Sequence, residues 1–193
     1  MTETTTTPTP ADALGLIFAE NSRVVDELRA SASSLEAAAS LLAAAPRVFV
    51  LGAGRSGLAL KMTAMRLMHL GLDVHVVGEV TSPAIAAGDV LLVASGSGTT
   101  GAIVRAAETA HGVGASILAL TTAAGSPLGR LAAVTVVIPA AAKQDHDGQV
   151  SAQYSGGLFE QSVLLVGDAL FHTLWKLSGL TADQLWPRHA NLE

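Results

Sequence analysis

The chain of 193 residues is long enough for one domain with a helical extension, and 50% of it is hydrophobic against only 14% charged, well below the ~25% charge usual of soluble domains. A formal net charge of −5 with scattered basic residues argues against a nucleic-acid binder, and the lack of cysteine removes disulfides and cysteine metal sites. So apolar a chain exceeds what one monomer buries, which predicts a homo-oligomer.

Met1 to Pro10 is rich in Thr and Pro. It lacks the basic and apolar regions of a signal peptide and reads as a disordered tail; residues 11–193 read as a single domain. Ala11 to Ala45 carries Leu14, Ile17, Val24, Leu28, Leu35 and Leu42 at helical spacing, predicting an N-terminal arm of one or two helices with a bend or break at Ser31–Ser34. Arg47–Leu51 is the first buried strand. A glycine loop, Gly52–Gly57, leads into a helix over Leu58–Leu70 that Gly71 stops. Asp73–Val77 is the second strand, Thr81–Ala87 a short turn or helix, and Asp89–Ala94 the third strand. The hydroxyl-rich loop Ser95–Thr100 opens a helix running to about Ala110. Ala115–Leu120 and Ala133–Ile138 are strands four and five, with a short helix after Ser126–Pro127. Pro139–Gly157 is a long polar loop of the kind that serves as a lid or interface element, and Leu158–Leu177 is the last strong helix. No apolar run reaches ~18 residues, so no membrane span is expected, and the lack of cysteine fits a cytoplasmic protein. Apolar strands alternating with helices predict a three-layer α/β fold with a five-stranded parallel sheet.

Two loops at strand ends carry the chemistry. In Ser95-Gly96-Ser97-Gly98-Thr99-Thr100, the glycines allow close backbone approach and the following helix start offers unpaired N–H donors. The hydroxyls add further donors, so the loop suits a phosphate. Gly52-Ala53-Gly54-Arg55-Ser56-Gly57 also satisfies the dinucleotide pattern, with Glu79 roughly where that pattern wants an acid. Two features favour a sugar phosphate instead: Arg55 stands where a bare backbone would approach a pyrophosphate, and a second hydroxyl loop follows strand three. In that reading Arg55 supplies charge and Ser56 joins the serine and threonine hydroxyls on the oxygens.

The pairing of these two loops resembles the sugar isomerase (SIS) domain and, more narrowly, the 6-phospho-3-hexuloisomerase family. The narrower likeness rests also on Ala64–Gly71, which contains His69, on Val76-Val77-Gly78-Glu79, on Leu158-Phe159-Glu160-Gln161, and on the terminal His189-Ala190-Asn191-Leu192-Glu193. It spans roughly residues 12 to 193. The resemblance implies an enzyme that interconverts D-arabino-hex-3-ulose 6-phosphate and fructose 6-phosphate through a cis-enediol, in formaldehyde fixation by the ribulose monophosphate route. It implies no metal or redox cofactor, and a homotetramer with sites at subunit contacts. Glu160 matches the family's base, at a helix start where the macrodipole also favours a carboxylate. His69 and His189 are rival candidates for moving a proton between oxygens, and His146 in the polar loop stays open. His69 lies fourteen positions after Arg55, roughly 21 Å along one helix, so in the family's manner it should enter a neighbour's site. Two departures stand out. Thr99 occupies the place of the family's usual Glu, and Gln153-Tyr154-Ser155 that of its frequent Gln-Pro-Met. An arabinose 5-phosphate type isomerase and a non-catalytic sugar-phosphate sensor are the other readings.

Overall fold

In the computed structural model, which describes residues 8–140 and 150–192, five parallel strands form one sheet in the order β2-β1-β3-β4-β5. The strands are β1 (Val48–Gly52), β2 (Val74–Val76), β3 (Val90–Ala94), β4 (Ser116–Thr121) and β5 (Val134–Val137), each within two residues of its predicted limits. Between them run α3 (Gly54–Leu70), α4 (Gly101–Gly112) and α5 (Pro127–Leu131). The predicted α/β architecture with a five-stranded parallel sheet is therefore the one observed.

Alternate strand residues serve opposite faces, as pleating requires. Val48, Val50, Leu92, Leu118 and Leu120 join α1 (Pro10–Ala30), α2 (Ala32–Ala44), α3 and α6 (Gly157–Ser178) in one apolar core. Phe49, Leu91, Val93, Ile117 and Ala119 join α4 and α5 in the other. The N-terminal arm thus seals one face of the sheet through Val24, Leu28, Ala38 and Leu42, while Leu14 and Phe18 nearer its start stay exposed.

Local outcomes bear out parts of the sequence reading and depart from others. The arm breaks at Ser31, which ends α1 and begins α2. The polar tail expected over 1–10 yields sooner: Thr9 caps α1 in a reciprocal box with Asp12, and Pro10 is already helical, because Pro suits a first helical position and the box satisfies two orphan donors. Residues 1–7 of that tail lie outside the described residues, as does His146. The β2-to-β3 connection holds no helix; Asp89 ties it down instead, accepting two hydrogen bonds from Arg47 at 2.6 and 3.0 Å and one from the Ala86 N–H at 2.8 Å. Beyond α6, a short α7 (Ala182–Leu185) and a 3-10 turn over Trp186–Arg188 add to the predicted elements.

The helices α3 and α6 approach closely where Gly167 faces Thr63. A Cβ on Gly167 would sit 2.0 Å from the Thr63 hydroxyl oxygen. Thr63 is itself fully buried and bonds back to the Ala59 carbonyl. Gly167→Ala should therefore destabilise the protein by about 1–3 kcal/mol through overpacking. Thermal unfolding of Gly167→Ala, Thr63→Ala and the double variant measures it: the double variant should recover much of the loss, and additive losses would show that the two residues do not limit the helix spacing.

Candidate active site

The sheet order reverses direction between β1 and β3, whose carboxyl ends pair Gly52 with Ala94. In an open parallel sheet a crevice forms outside the strand ends at such a point. Both glycine loops of the sequence leave from there.

After β1 the chain turns straight into α3. A Cβ on Gly57 would lie 2.4 Å from the Gly52 carbonyl oxygen, so these glycines serve the close seating of the helix start on the strand end. That accounts for the dinucleotide-like pattern. Glu79, the acid that pattern wanted, pairs with Lys61 at 2.7 Å on the surface. Ser56 is buried in the first turn of α3 beside exposed Arg55.

After β3, Ser95 is buried and its hydroxyl lies 3.2 Å from that of Thr100. Thr99 folds back on Ser97: its hydroxyl donates to the Ser97 hydroxyl at 2.9 Å, and its N–H donates to the same oxygen at 3.3 Å. Gly98 takes a left-handed φ of +61°, and a Cβ there would collide with the Ser126 hydroxyl at 2.0 Å, so glycine is required. The Gly96 carbonyl is held by the Thr121 and Thr122 hydroxyls at 3.0 and 2.9 Å. Thr100 precedes α4 without making a side-chain cap bond, so its hydroxyl is not folded over the first N–H groups of α4. A rigid loop of hydroxyls over an uncapped helix start suits an anion.

The third component comes from α6. Phe159 packs against Gly96, where an added Cβ would be 3.5 Å from its ring, and the next residue, Glu160, is buried in the first turn. Arg55 Nε meets the Glu160 carboxylate at 2.6 Å, with the arginine 69% exposed and the glutamate 7%. The two residues line an open hollow of about 300 Å³ with Leu58, Met62, Gln161 and Leu164. A buried carboxylate one residue beyond the ring that packs on the phosphate-suited loop can abstract a proton, and the guanidinium beside it can stabilise the developing negative charge.

The candidate histidines lie elsewhere. His69, in the last turn of α3, is buried, and His189 stacks on it with ring centroids 3.9 Å apart. Trp186 covers His189 at 4.6 Å, and Arg188 reaches back to the His69 carbonyl at 3.3 Å. The two candidate histidines are thus brought together as a stacked pair by a tail whose docking no local pattern foretold. They line a second hollow of about 670 Å³ with Lys61, Arg66 and Asp168. Burial foremost, then the neighbouring His189 and Arg66, hold the His69 pKa below its ordinary value, so the ring is neutral at neutral pH. In agreement with the helix-length argument, Arg55 and His69 are the two ends of α3 and do not meet within one chain. Sequence reasoning gave Gln161 no role, although it lines the hollow with Glu160; of its partners, Gln153 lies across a turn and Asn21 far away in the chain, and neither leaves a periodic signal.

A family model described as "SIS domain" matches residues 41–157. The match includes Arg55, Ser56, His69 and the Ser95–Thr100 loop, and ends before Glu160 and His189. A curated 3-hexulose-6-phosphate isomerase of Mycobacterium gastri is 60% identical over 147 residues, 76% of this chain and 74% of that protein. One of Bacillus subtilis is 39% identical over 148 residues, 76% of this chain and 80% of that protein. Among solved structures, a hypothetical protein of Methanococcus jannaschii, for which a 3-hexulose-6-phosphate isomerase function was inferred, superposes with a TM-score of 0.80. It is 25% identical and covers 94% of this chain and 99% of its own.

His69 gives a pH signature. Its folded-state pKa lies below the unfolded value near 6.5, so on acidification the unfolded chain takes up the proton first. The stability this group contributes is present above about pH 6.5 and falls away below it. Denaturant titrations between about pH 7.5 and 5.5 should show this loss, and His69→Phe should show a smaller one; equal losses would mean another group is responsible.

Proposed function

The chain belongs to the SIS domain family, and we propose that it interconverts D-arabino-hex-3-ulose 6-phosphate and fructose 6-phosphate, as an isomerase acting on a phosphorylated sugar. The observation that carries this is Glu160, buried, bonded to Arg55 and one residue beyond the Phe159 that packs on the phosphate-suited loop. The curated relatives named 3-hexulose-6-phosphate isomerase favour this substrate over the arabinose 5-phosphate type and over a non-catalytic sensor.

The hydroxyls of Ser95, Ser97, Thr99 and Thr100, with the Gly96 and Gly98 backbone and Ser56 beside them, take the phosphate. Glu160 removes the proton from C2 of the 3-ketose, giving a cis-enediol between C2 and C3. It returns the proton at C3, and the carbonyl is left at C2. Arg55 offsets the charge that grows on the enediolate oxygens. A second group moves a proton between O2 and O3, and neutral His69 with His189 above it suits that task.

That task is open to the histidines only from another copy of the chain. Leu58, Met62 and Met65 expose an apolar stripe along α3 between the two hollows, both of which Leu58 and Met62 line. A two-fold axis near Met62, midway between Arg55 and His69, would bury this stripe and bring the histidine pair of each copy to the Arg55–Glu160 hollow of the other. The homotetramer, two such dimers, and the cytoplasmic location are parts of the same proposal. No single helix among the described residues is long and apolar enough to cross a membrane.

Purified protein supplied with the 3-ketohexose phosphate should yield fructose 6-phosphate; a folded oligomer without turnover would sink the assignment. Glu160→Gln should lower kcat by about a hundred- to ten-thousandfold while sugar-phosphate binding persists, and retained turnover would remove Glu160 as the base. Mixing inactive Glu160→Gln with inactive His69→Phe, after subunit exchange, should restore up to about a quarter of wild-type activity, because half of the dimers are mixed and each holds one intact site. No recovery despite exchange would place the whole site within one chain.

A further inference from the structure

We propose that Glu20 is a positioning residue for this isomerisation: its carboxylate sets the direction of a line of side-chain amides that passes beside the base, through Gln161. The inference rests on the reading of Glu160 as the base.

Glu20 lies on α1, buried, far in sequence from the site. One carboxylate oxygen accepts from the Ala152 N–H at 2.7 Å. The other accepts from the Ser151 hydroxyl at 2.6 Å and from the Gln153 amide nitrogen at 2.9 Å. From there the bonds run one way. The Gln161 amide nitrogen donates to the Gln153 oxygen at 2.8 Å, and the Asn21 amide nitrogen donates to the Gln161 oxygen at 2.7 Å. Asn21 is pinned in turn, donating to the Ile17 carbonyl at 2.9 Å. Arg23 of the same helix donates to the Val150 carbonyl.

The direction is not arbitrary. An ionised carboxylate only accepts, so it compels Gln153 to offer its NH₂ inward and its oxygen toward Gln161. Gln161 must then present its NH₂ to Gln153 and its oxygen to Asn21. Burial raises the Glu20 pKa, but the hydrogen bonds from Ser151, Ala152 and Gln153, with Arg23 nearby, outweigh it, so the group sits below its ordinary value. The line also fixes where α6 begins. Ser155 and Gly156 turn the chain in left-handed conformations, at φ +43° and +81°, and the Gly156 carbonyl accepts the Glu160 N–H at 3.1 Å. Segment 151–153, clamped to α1, therefore holds the entry to the turn that carries Glu160. The cap residue, Gly156, has no side chain to bond the helix start, so the clamp acts on where the chain enters the helix.

Glu20→Gln separates this role from simple packing. The substituted amide keeps the size but owns one oxygen where the carboxylate has two. One of its two main donors, the Ala152 N–H or the Gln153 NH₂, must then face another NH₂. Where the Gln153 NH₂ is the group opposed, the conflict passes along the line to Gln161. Adding Gln153→Glu resolves it: the carboxylate now at position 153 accepts from the amide at position 20 on one side and from Gln161 on the other, and Gln161 keeps its orientation.

The test is steady-state kinetics with the 3-ketohexose phosphate on wild type, Glu20→Gln and Glu20→Gln/Gln153→Glu. The side-chain amide resonances of Gln161 are recorded in each protein by NMR. Expected are a fall in kcat of about ten- to a hundredfold in Glu20→Gln, as for a displaced catalytic group, with KM within about twofold, and recovery of most of kcat in the double variant. The Gln161 resonance should shift in the single variant and return in the double. An unchanged kcat in Glu20→Gln, or a loss the double variant does not repair, overturns the inference. An inactive wild type removes the assigned reaction instead; the Gln161 resonance then decides whether the carboxylate sets the line, and its failure to move in Glu20→Gln overturns that as well.

Discussion

The contact of Gly167 with Thr63 governs the distance between the two helices that carry the acidic and basic halves of the site. Both helices start at the carboxyl edge of the sheet and run the same way. Arg55 lies about two turns before Thr63, and Glu160 about two turns before Gly167. With the helix spacing set by a hydrogen in place of a side chain, the guanidinium and the carboxylate meet at 2.6 Å without either leaving its helix. The sheet supplies the second constraint. Because β2 lies on one side of β1 and β3 on the other, the loops after β1 and β3 open onto the same crevice, and the α6 start closes it through Phe159 on Gly96.

Three buried carboxylates show how this largely apolar chain tolerates charge. Asp89 is met by Arg47 in a two-bond fork, Glu160 by Arg55, and Glu20 by donors from Ser151, Ala152 and Gln153. Each is compensated in a different manner, as burial of charge demands. Each also joins segments that sequence separates: two strand starts, two parallel helices, and the arm to the entry of α6. The few charged residues that the composition allows inside are thus placed at junctions.

What could be read from the sequence was what short-range chemistry writes there. Strand limits came through because buried parallel strands are continuous apolar runs, and the break at Ser31 because a serine patch interrupts an alanine-rich helix. The place of the Ser95–Thr100 loop came through because glycine and hydroxyls break the apolar run of β3 before the helical pattern of α4 begins. The dinucleotide-like pattern was correctly set aside, yet the reason Gly57 must be glycine, its contact with the Gly52 carbonyl, is visible only in three dimensions. The pairing of His69 with His189 was beyond reach, since stacking of rings so far apart in the chain leaves no periodicity. So was the line from Glu20 to Gln161, in which every residue alone looks like an ordinary surface polar group. Thr99 is a middle case: its place in the loop was plain, but its bond back to Ser97 shows a residue that shapes the turn as much as it could touch a ligand.

The docking of the 186–189 turn on the end of α3 has a consequence for how the molecule is made. Arg188 follows the residue whose carbonyl it binds by 119 positions, so a ribosome delivers the sheet, both glycine loops and most of α6 before the segment that covers His69. Chains emerging from synthesis tend to fold from their beginning. A nascent chain can therefore hold a formed crevice while the far end of α3 is still bare, with an apolar stripe and an uncovered imidazole side by side. Translation itself sets the order in which the two ends of that helix mature, and the histidine end is the last to be finished.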